Sequence, residues 1–118
     1  MSTRLCLVTG ASGYVGGRLL RELAARGERV RCLARRPEFL EPRVAPGTEV
    51  VRGDVLQPES LPAAMAGVQV AYYLIHSMGS GGDFESEDRQ GAHSFAAAAC
   101  EAGVERIVPA GHEVATVC

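Results

Sequence analysis

The sequence predicts an α/β fold in which helices cover both faces of a doubly wound parallel sheet. Short apolar runs alternate with segments of helical periodicity along the chain, which is the pattern of repeated strand–helix–strand units. The 14 glycines suit a fold with many tight turns. A length of 118 residues fits one domain, residues 1–118.

The first half of the chain supplies three strands and two helical segments. The first helix carries an apolar face and ends at Gly27; the face consists of Val15, Leu19, Leu20 and Leu23. The second strand alternates apolar and polar residues. The predicted elements are a strand at Arg4–Thr9, a helix at Tyr14–Arg26, a strand at Arg29–Ala34, a helical turn at Pro37–Leu40 and a strand at Glu49–Arg52.

The second half continues the alternation. Its fourth strand is an almost continuous apolar run, as expected of a central parallel strand that is covered on both faces. The long helix after it is expected to pack through Phe84, Ala92, Phe95, Ala96 and Ala99. The predicted elements are a helix at about Ser60–Met65, a strand at Val68–Ile75, a helix at about Asp83–Ala102 and a strand at Arg106–Val108.

Right-handed crossovers order these strands 3-2-1-4-5 in the sheet. The chain stops soon after the fifth strand. We therefore expect that strand to be an open edge, which a partner chain or a second copy of this chain would cover.

Composition excludes several classes of partner. The net charge of −2 does not favour nucleic acid or an acidic membrane. No apolar run approaches the roughly 20 residues that span a bilayer, and the chain enters its first strand without a signal peptide, so we expect a cytoplasmic protein. The cysteines at positions 6, 32, 100 and 118 form no Cys-x-x-Cys pair. This favours buried reduced thiols over disulfides or a metal site for the first three, and Cys118 is expected to be exposed.

A Gly-x-x-Gly-x-x-Gly spacing lies between the first strand and the first helix. Gly10 permits a sharp turn, Gly13 lets backbone approach a ligand closely, and Gly16 lets the helix pack on the sheet. The free N–H groups of the helix's first turn then face a pyrophosphate. The motif in this context predicts a dinucleotide-binding site.

Two further strand ends bear on the cofactor. Arg35 and Arg36 follow the second strand where an NAD site usually has an acidic residue, and guanidinium groups suit the 2′-phosphate of NADP. We favour NADP, with NAD as the alternative; a solvated arginine pair is the alternative without a ligand. Asp54 is placed to accept from the adenine amino group while Val55 packs on the ring, and a simple turn residue explains Asp54 equally well.

The fourth strand ends beside the first, at the position where open α/β sheets bind ligands. Leu74, Ile75 and His76 are therefore expected to line the cofactor groove. Ser77 follows His76, but adjacent residues of an extended segment point in opposite directions, and no acidic residue is placed to orient the imidazole. A loop that contacts the nicotinamide or substrate is the preferred interpretation, with a plain loop as the alternative.

Three segments together resemble the extended and atypical short-chain dehydrogenase/reductases, and within them the NmrA-like, epimerase-like NAD(P)H-binding proteins: Val8–Gly17, Arg52–Asp54 and Ala71–Met78. The resemblance covers about residues 3–108 and implies a Rossmann fold. It also implies cofactor contacts from Gly10, Ser12, Gly13, Tyr14, Val15, Arg35, Arg36, Asp54, Val55 and the loop that starts at Leu74.

The chain departs from that family at its catalytic part. Such proteins continue into further strands and a substrate lobe, and catalytic members carry a serine with Tyr-x-x-x-Lys, whereas this chain has no lysine. The last ten residues also look unlike the family, and His112-Glu113 lacks the second histidine of a zinc motif. We predict no catalytic residues and no metal site. Two hypotheses remain: the cofactor-binding part of a reductase or epimerase, or a non-enzymatic sensor of the NADP redox state.

Overall fold

The computed structural model describes residues 4–10, 14–44, 46–74, 82–109 and 115–116. Its strands are β1 (Leu5–Thr9), β2 (Arg29–Ala34), β3 (Glu49–Arg52), β4 (Val70–Tyr73), β5 (Arg106–Pro109) and β6 (Ala115–Thr116). Its α-helices are α1 (Tyr14–Ala25), α2 (Pro37–Leu40), α3 (Leu61–Met65) and α4 (Gly82–Ala102), with 3₁₀ turns at Glu41–Arg43 and Pro58–Ser60. The predicted bounds of the first five elements are confirmed to within one residue.

The strands form one sheet in the order β3-β2-β1-β4-β5-β6. The first five of these are parallel, so the predicted order 3-2-1-4-5 is confirmed. β6 adds an antiparallel pairing in which Thr116 lies opposite Arg106 and Ala115 opposite Ile107. The expectation of an open edge is therefore wrong at Arg106 and Ile107, because residues 115–116 return to that strand.

β4 is shorter than predicted because its first residues serve a turn. The N–H of Val68 donates to the carbonyl of Met65, and the N–H of Gln69 donates to the carbonyl of Leu5. The ladder with β1 then starts at Val70. Ile75, the predicted last residue of the strand, lies outside the described residues.

The core is divided between the two faces of the sheet, as a doubly wound arrangement requires. One cluster contains Leu7, Leu61, Met65 and Phe95 and lies under α3 and α4. The other contains Val8, Leu23, Cys32 and Leu40 and lies under α1 and α2. At the end of α1, Gly27 adopts φ +72, and the N–H of Glu28 donates to the carbonyl of Leu23, which closes the helix as predicted.

The packing face of α4 differs from the prediction. Phe95 and Ala99 are buried as expected, but Ala92 and Ala96 are exposed, and the buried face is completed by Gly91 and Ala98. Alanines occur on every side of this helix, so the pattern alone identified its face poorly. The side chain of Phe84 lies outside the described residues.

The cysteines fall into two groups. Cys6 and Cys32 are free and buried, as predicted. Cys100 is exposed and disulfide-bonded, so the expectation of a buried reduced thiol is wrong at that position. Cys118 lies outside the described residues.

Burial of the Cys32 thiol makes the stability of the protein sensitive to alkaline pH. Burial raises the pKa of Cys32 from 9.0 to about 12 and raises the pKa of Cys6 in the same direction. The unfolded chain loses these protons first, so we expect full stability below about pH 9 and a loss of up to roughly 1.4 kcal/mol per pH unit per group above it.

Urea denaturation at intervals between pH 7 and pH 11 measures this slope. The variant C32A should make the slope shallower without abolishing it, because one group with a raised pKa is gone while Cys6 and Tyr72, whose pKa values burial also raises, remain. An identical slope in C32A would show that Cys32 is not the titrating group. In the native protein at pH 8, iodoacetamide should leave both buried cysteines unmodified.

Candidate functional site

The carboxyl ends of four neighbouring strands lie together at one edge of the sheet. Thr9 of β1 is paired with Leu33 of β2 and with Tyr73 of β4. Beyond these pairs, the N–H of Leu74 donates to the carbonyl of Thr9 at 2.9 Å, and the N–H of Gly53 donates to the carbonyl of Ala34 at 3.0 Å. The turns that follow β1, β2, β3 and β4 therefore share one surface, which is where open α/β sheets bind ligands.

The turn after β1 has the local geometry that the glycine spacing predicts. Gly10 has φ 94, a left-handed conformation that favours glycine. α1 begins at Tyr14, and Gly16 is buried within it. The first N–H groups of α1 have no partner inside the helix and suit an anion at this edge. Ser12 and Gly13 lie outside the described residues, as do the side chains of Tyr14 and Val15.

A buried hydroxyl lies at the end of β1. Thr9 is 1 % exposed, and within the described part of the chain its Oγ1 has no hydrogen-bond partner. Alternation along the strand puts this side chain on the same face as Leu5 and Leu7, toward α4. An unpartnered hydroxyl costs about 1–3 kcal/mol when buried, so a polar ligand atom or a water at this strand end would stabilise it.

Arg35 and Arg36 extend into solvent directly after β2. Both are exposed, and neither forms an ion pair with a described carboxylate. The guanidinium carbon of Arg36 lies over the ring of Phe39, 5.7 Å from its centroid. This donor set fits a phosphate group, because guanidinium N–H groups are available in a planar fork that matches phosphate oxygens.

Asp54 is held in a small hydrogen-bonded loop after β3. Its Oδ1 accepts from the N–H of Leu56 at 2.9 Å. The hydroxyl of Ser60 accepts from the N–H of Asp54 at 2.9 Å, and its single proton can be donated to the carbonyl of Gln57 at 2.7 Å or to that of Asp54 at 3.0 Å. Asp54 is therefore a turn residue, which was the alternative explanation given for it from the sequence. Its Oδ2 makes no hydrogen bond within the described residues, so the fixed carboxylate still has an acceptor oxygen for a ligand.

Val55 is mainly a core residue. It is 8 % exposed and packs in the cluster under α4. A Cβ placed on Gly91 would lie 2.8 Å from Cγ2 of Val55 and 3.2 Å from the hydroxyl of Tyr73. Little of the Val55 side chain is left for an adenine ring, and the absence of a side chain at Gly91 lets α4 approach it.

The edge thus brings together six of the predicted site residues: Gly10, Gly16, Arg35, Arg36, Asp54 and Leu74. Ile75 and His76 lie outside the described residues. Sequence reasoning missed Ser60, Phe39 and Gly91. Phe39 had a usable signal, an aromatic residue three positions after Arg36 at the start of a helical turn; Ser60 and Gly91 had none, because their roles depend on contacts across the fold.

The described residues do not form a metal site. No group of three or more His, Cys, Asp or Glu side chains among them lies close enough together to hold a metal ion. His93 is exposed on α4. His112 and Glu113 fall outside the described part. None of the helices in that part is long and apolar enough to cross a membrane.

Comparison with known families identifies the class of ligand. Residues 10–112 match the model of the family described as NAD(P)H-binding, and the match begins at the glycine turn. The chain belongs to the NAD(P)H-binding family. The predicted Rossmann fold and dinucleotide-binding function are therefore confirmed at the level of NAD(P)H.

Relatives of this NAD(P)H-binding chain include dehydrogenases and reductases. It is 35% identical over 104 residues to a 4-hydroxy-2-methyl-3-oxo-4-farnesyl-3,4-dihydroquinoline-1-oxide ketoreductase of Stigmatella aurantiaca, a match that covers 86% of this chain and 31% of the relative. It is 34% identical over 113 residues to a 3 beta-hydroxysteroid dehydrogenase/Delta 5-->4-isomerase of Mycobacterium tuberculosis, covering 86% and 30%. The chain thus spans about a third of the length of these relatives.

Solved structures agree with this assignment. The Citrobacter sp. triphenylmethane reductase, crystallised in complex with NADP(H), superposes with a TM-score of 0.74 at 31% identity, covering 88% of this chain and 36% of the reductase. A second structure of a Citrobacter sp. triphenylmethane reductase gives a TM-score of 0.79 at 28% identity, with coverages of 91% and 37%.

Proposed function

We propose that this chain binds NADP(H) in preference to NAD(H) and forms the cofactor-binding part of a reductase of the short-chain dehydrogenase/reductase type. The observation that carries the preference is the pair of exposed arginines, Arg35 and Arg36, that have no described carboxylate partner at the end of β2. The first acidic residue after them is Glu38, so the ribose-binding acid of a typical NAD site is absent from this turn. The NADP(H) complex of the Citrobacter reductase supports the same preference.

In this proposal each strand end has a separate task. Gly10, Ser12, Gly13 and the first turn of α1 (Tyr14, Val15 and Gly16) hold the pyrophosphate. Arg35 and Arg36 bind the 2′-phosphate through charge-assisted hydrogen bonds. The Oδ2 of Asp54 accepts from the adenine amino group, and the small exposed part of Val55 lies against the adenine ring. The segment from Leu74 through Ile75 and His76 lies against the nicotinamide end.

The chemistry of a bound NADPH is hydride transfer, and the chain's own residues bind and orient the dinucleotide. The chain contains no lysine, so a tyrosine–lysine proton donor is not among its residues. The alternative function is a non-enzymatic sensor of the NADP redox state. Steady-state assays with NADPH and quinone or carbonyl substrates separate the two functions, because sustained NADPH oxidation contradicts the sensor. We also propose a cytoplasmic location, which the free thiols of Cys6 and Cys32 suit and the disulfide at Cys100 does not.

Isothermal titration calorimetry with NADPH and NADH tests the cofactor preference. The chain has no tryptophan, so calorimetry is preferable to protein fluorescence. We expect R35A and R36A each to weaken NADPH binding about tenfold or more, since a hydrogen bond to a charged group contributes about 1.5–3 kcal/mol. Binding of NADH should change less than about twofold, because NADH lacks the 2′-phosphate.

R21A is the matched control. Arg21 is exposed on α1, away from the ends of the strands, so its loss removes one positive charge and no proposed contact. Equal losses of NADPH affinity in R21A and R36A would mean that the lost positive charge, and not a contact with the 2′-phosphate, explains the weaker binding. Tighter binding of NADH than NADPH by the unmodified chain would overturn the proposed preference.

Light scattering on the same samples tests the expected partner. We propose that affinity is weak in the monomer or depends on a partner chain or homo-oligomer. A monomer that binds NADPH tightly would contradict this, and the pairing of β6 on Arg106 and Ile107 already reduces the edge that such a partner could cover.

A further inference from the structure

Phe39 is an exposed aromatic residue that the fold does not require. Among the described residues it is the large hydrophobic side chain that stays exposed, at 63%. Its neighbour Leu40 is 4% exposed and belongs to the core cluster under α1 and α2. α2 is therefore attached to the core through Leu40 while Phe39 faces away from it.

The backbone holds Phe39 close to Arg36. The N–H of Phe39 donates to the carbonyl of Arg36 at 3.1 Å, which closes the first turn of α2. Pro37 lies between them at the first helical position, where its fixed φ restricts the turn. The turn thus places the Arg36 guanidinium over the aromatic ring, with 5.7 Å between the guanidinium carbon and the ring centroid.

This contact leaves the hydrogen-bond donors of Arg36 available. The five N–H donors of a guanidinium lie in its plane, and an aromatic ring attracts the cation through its π face without accepting those N–H groups in the manner of a carboxylate. A carboxylate partner would instead occupy the planar fork and compete with a phosphate. The ring therefore restricts a long, flexible side chain and keeps its charge available.

We propose that Phe39 is a positioning residue for the 2′-phosphate of NADP(H): its ring holds the Arg36 guanidinium at the end of β2 in an orientation ready to bind the phosphate. This inference rests on the proposed function. It makes Phe39 a determinant of the preference for the 2′-phosphorylated nucleotide, although Phe39 itself has no polar group that could contact the phosphate.

The test isolates the 2′-phosphate with two small probes, adenosine 2′,5′-bisphosphate and ADP, titrated by calorimetry together with NADPH and NADH. F39A and F39L should weaken the bisphosphate and NADPH about two- to fivefold, the range of an exposed cation–π contact. ADP and NADH should bind as they do to the unmodified chain. F39Y, which retains the aromatic face, should bind all four probes like the unmodified chain.

A double-mutant cycle shows whether the effect acts through Arg36. In the R36A background, F39L should cause no further loss, because the group that Phe39 positions is already absent. F39L is the variant for this cycle since it keeps an apolar side chain of similar length on α2.

The outcomes separate this inference from the proposed function. If the unmodified chain binds none of the four probes, the proposed function fails and the inference fails with it. If the unmodified chain prefers NADPH but F39L binds NADPH equally well, only the role of Phe39 is overturned. Equal losses for NADPH and NADH in F39L would also overturn it, because they would indicate a contact with the shared part of the nucleotide or a general disturbance of α2.

Discussion

Replacement of Arg31 by methionine is expected to lower the free energy of unfolding by about 1.5–3 kcal/mol, since it removes a charged donor that is itself largely buried and that bonds three acceptors. The Arg31 side chain is 14% exposed, and its Nε donates to Oε1 of Glu49 at 2.8 Å. Its Nη1 donates to the carbonyls of Ala64 and Ala66, both at 2.8 Å. One side chain therefore ties β2 to β3 and closes the carboxyl end of α3, and its removal leaves three acceptors without this donor.

Urea denaturation of R31M measures this loss, with R29M as the matched control. Arg29 lies on the same strand and is exposed, so its substitution should change stability by less than about 0.5 kcal/mol. E49Q should lose less than R31M, because the Glu49 side chain is 55% exposed and the two carbonyl contacts of Arg31 remain. Equal stabilities of R31M and R29M would mean that the network does not stabilise the fold.

Substitution of Gly91 by alanine is expected to destabilise the protein by about 1–3 kcal/mol, the usual cost of an overpacked core. The new Cβ would lie 2.8 Å from Cγ2 of Val55 and 3.2 Å from the hydroxyl of Tyr73. Val55 is β-branched and stiff at χ1, so it cannot simply rotate away. The steric cost therefore exceeds the roughly 1 kcal/mol by which alanine is preferred over glycine inside a helix.

G17A is the matched control for G91A. Gly17 also lies inside a helix, α1, and a Cβ there meets no atom within 4 Å. Alanine at this position should stabilise the protein by up to about 1 kcal/mol through helix propensity alone. Thermal or urea denaturation of both variants should thus give opposite signs. A stabilised G91A would contradict the close packing of α4 on Val55.

G91A should also weaken NADPH binding if Asp54 contributes to the adenine site. Val55 follows Asp54 directly, so displacement of the Val55 side chain disturbs the loop that Ser60 holds through its hydroxyl. The same titrations that test the arginines report this effect. NADPH affinity unchanged in a folded G91A would separate the packing of α4 from the binding edge.

Local patterns predicted the strands well, and they predicted which residues follow the strand ends at one edge of the sheet. β2, α2 and β3 have the predicted bounds because each carries a local signal. β2 alternates along most of its length, α2 starts at Pro37, and β3 lies between Gly47 and Gly53. The order of the strands followed from the handedness of crossovers, which depends on chain chirality rather than on particular side chains. Gly10, the arginine pair and Asp54 reach one edge for the same reason, since each follows a parallel strand.

Patterns were weaker where several helix faces look alike or where partners are distant in sequence. Ala92 and Ala96 were expected in the core and are exposed, because an alanine-rich helix has no strong apolar stripe and its rotation is set by Phe95 and by the close contact at Gly91. The prediction that Cys100 is a reduced thiol was also wrong, because a disulfide depends on which residues meet in space.

The sequence by itself determined the fold class, the strand order, the glycine turn and the class of ligand, because these follow from periodicity and from residues adjacent along the chain. Only the tertiary structure decided which side chains hold the binding edge in place. Arg31 meets carbonyls that are 33 and 35 residues away, and Gly91 meets Val55 from a different element. Such contacts depend on the distance and rotation between packed elements, and no local pattern along one segment encodes them.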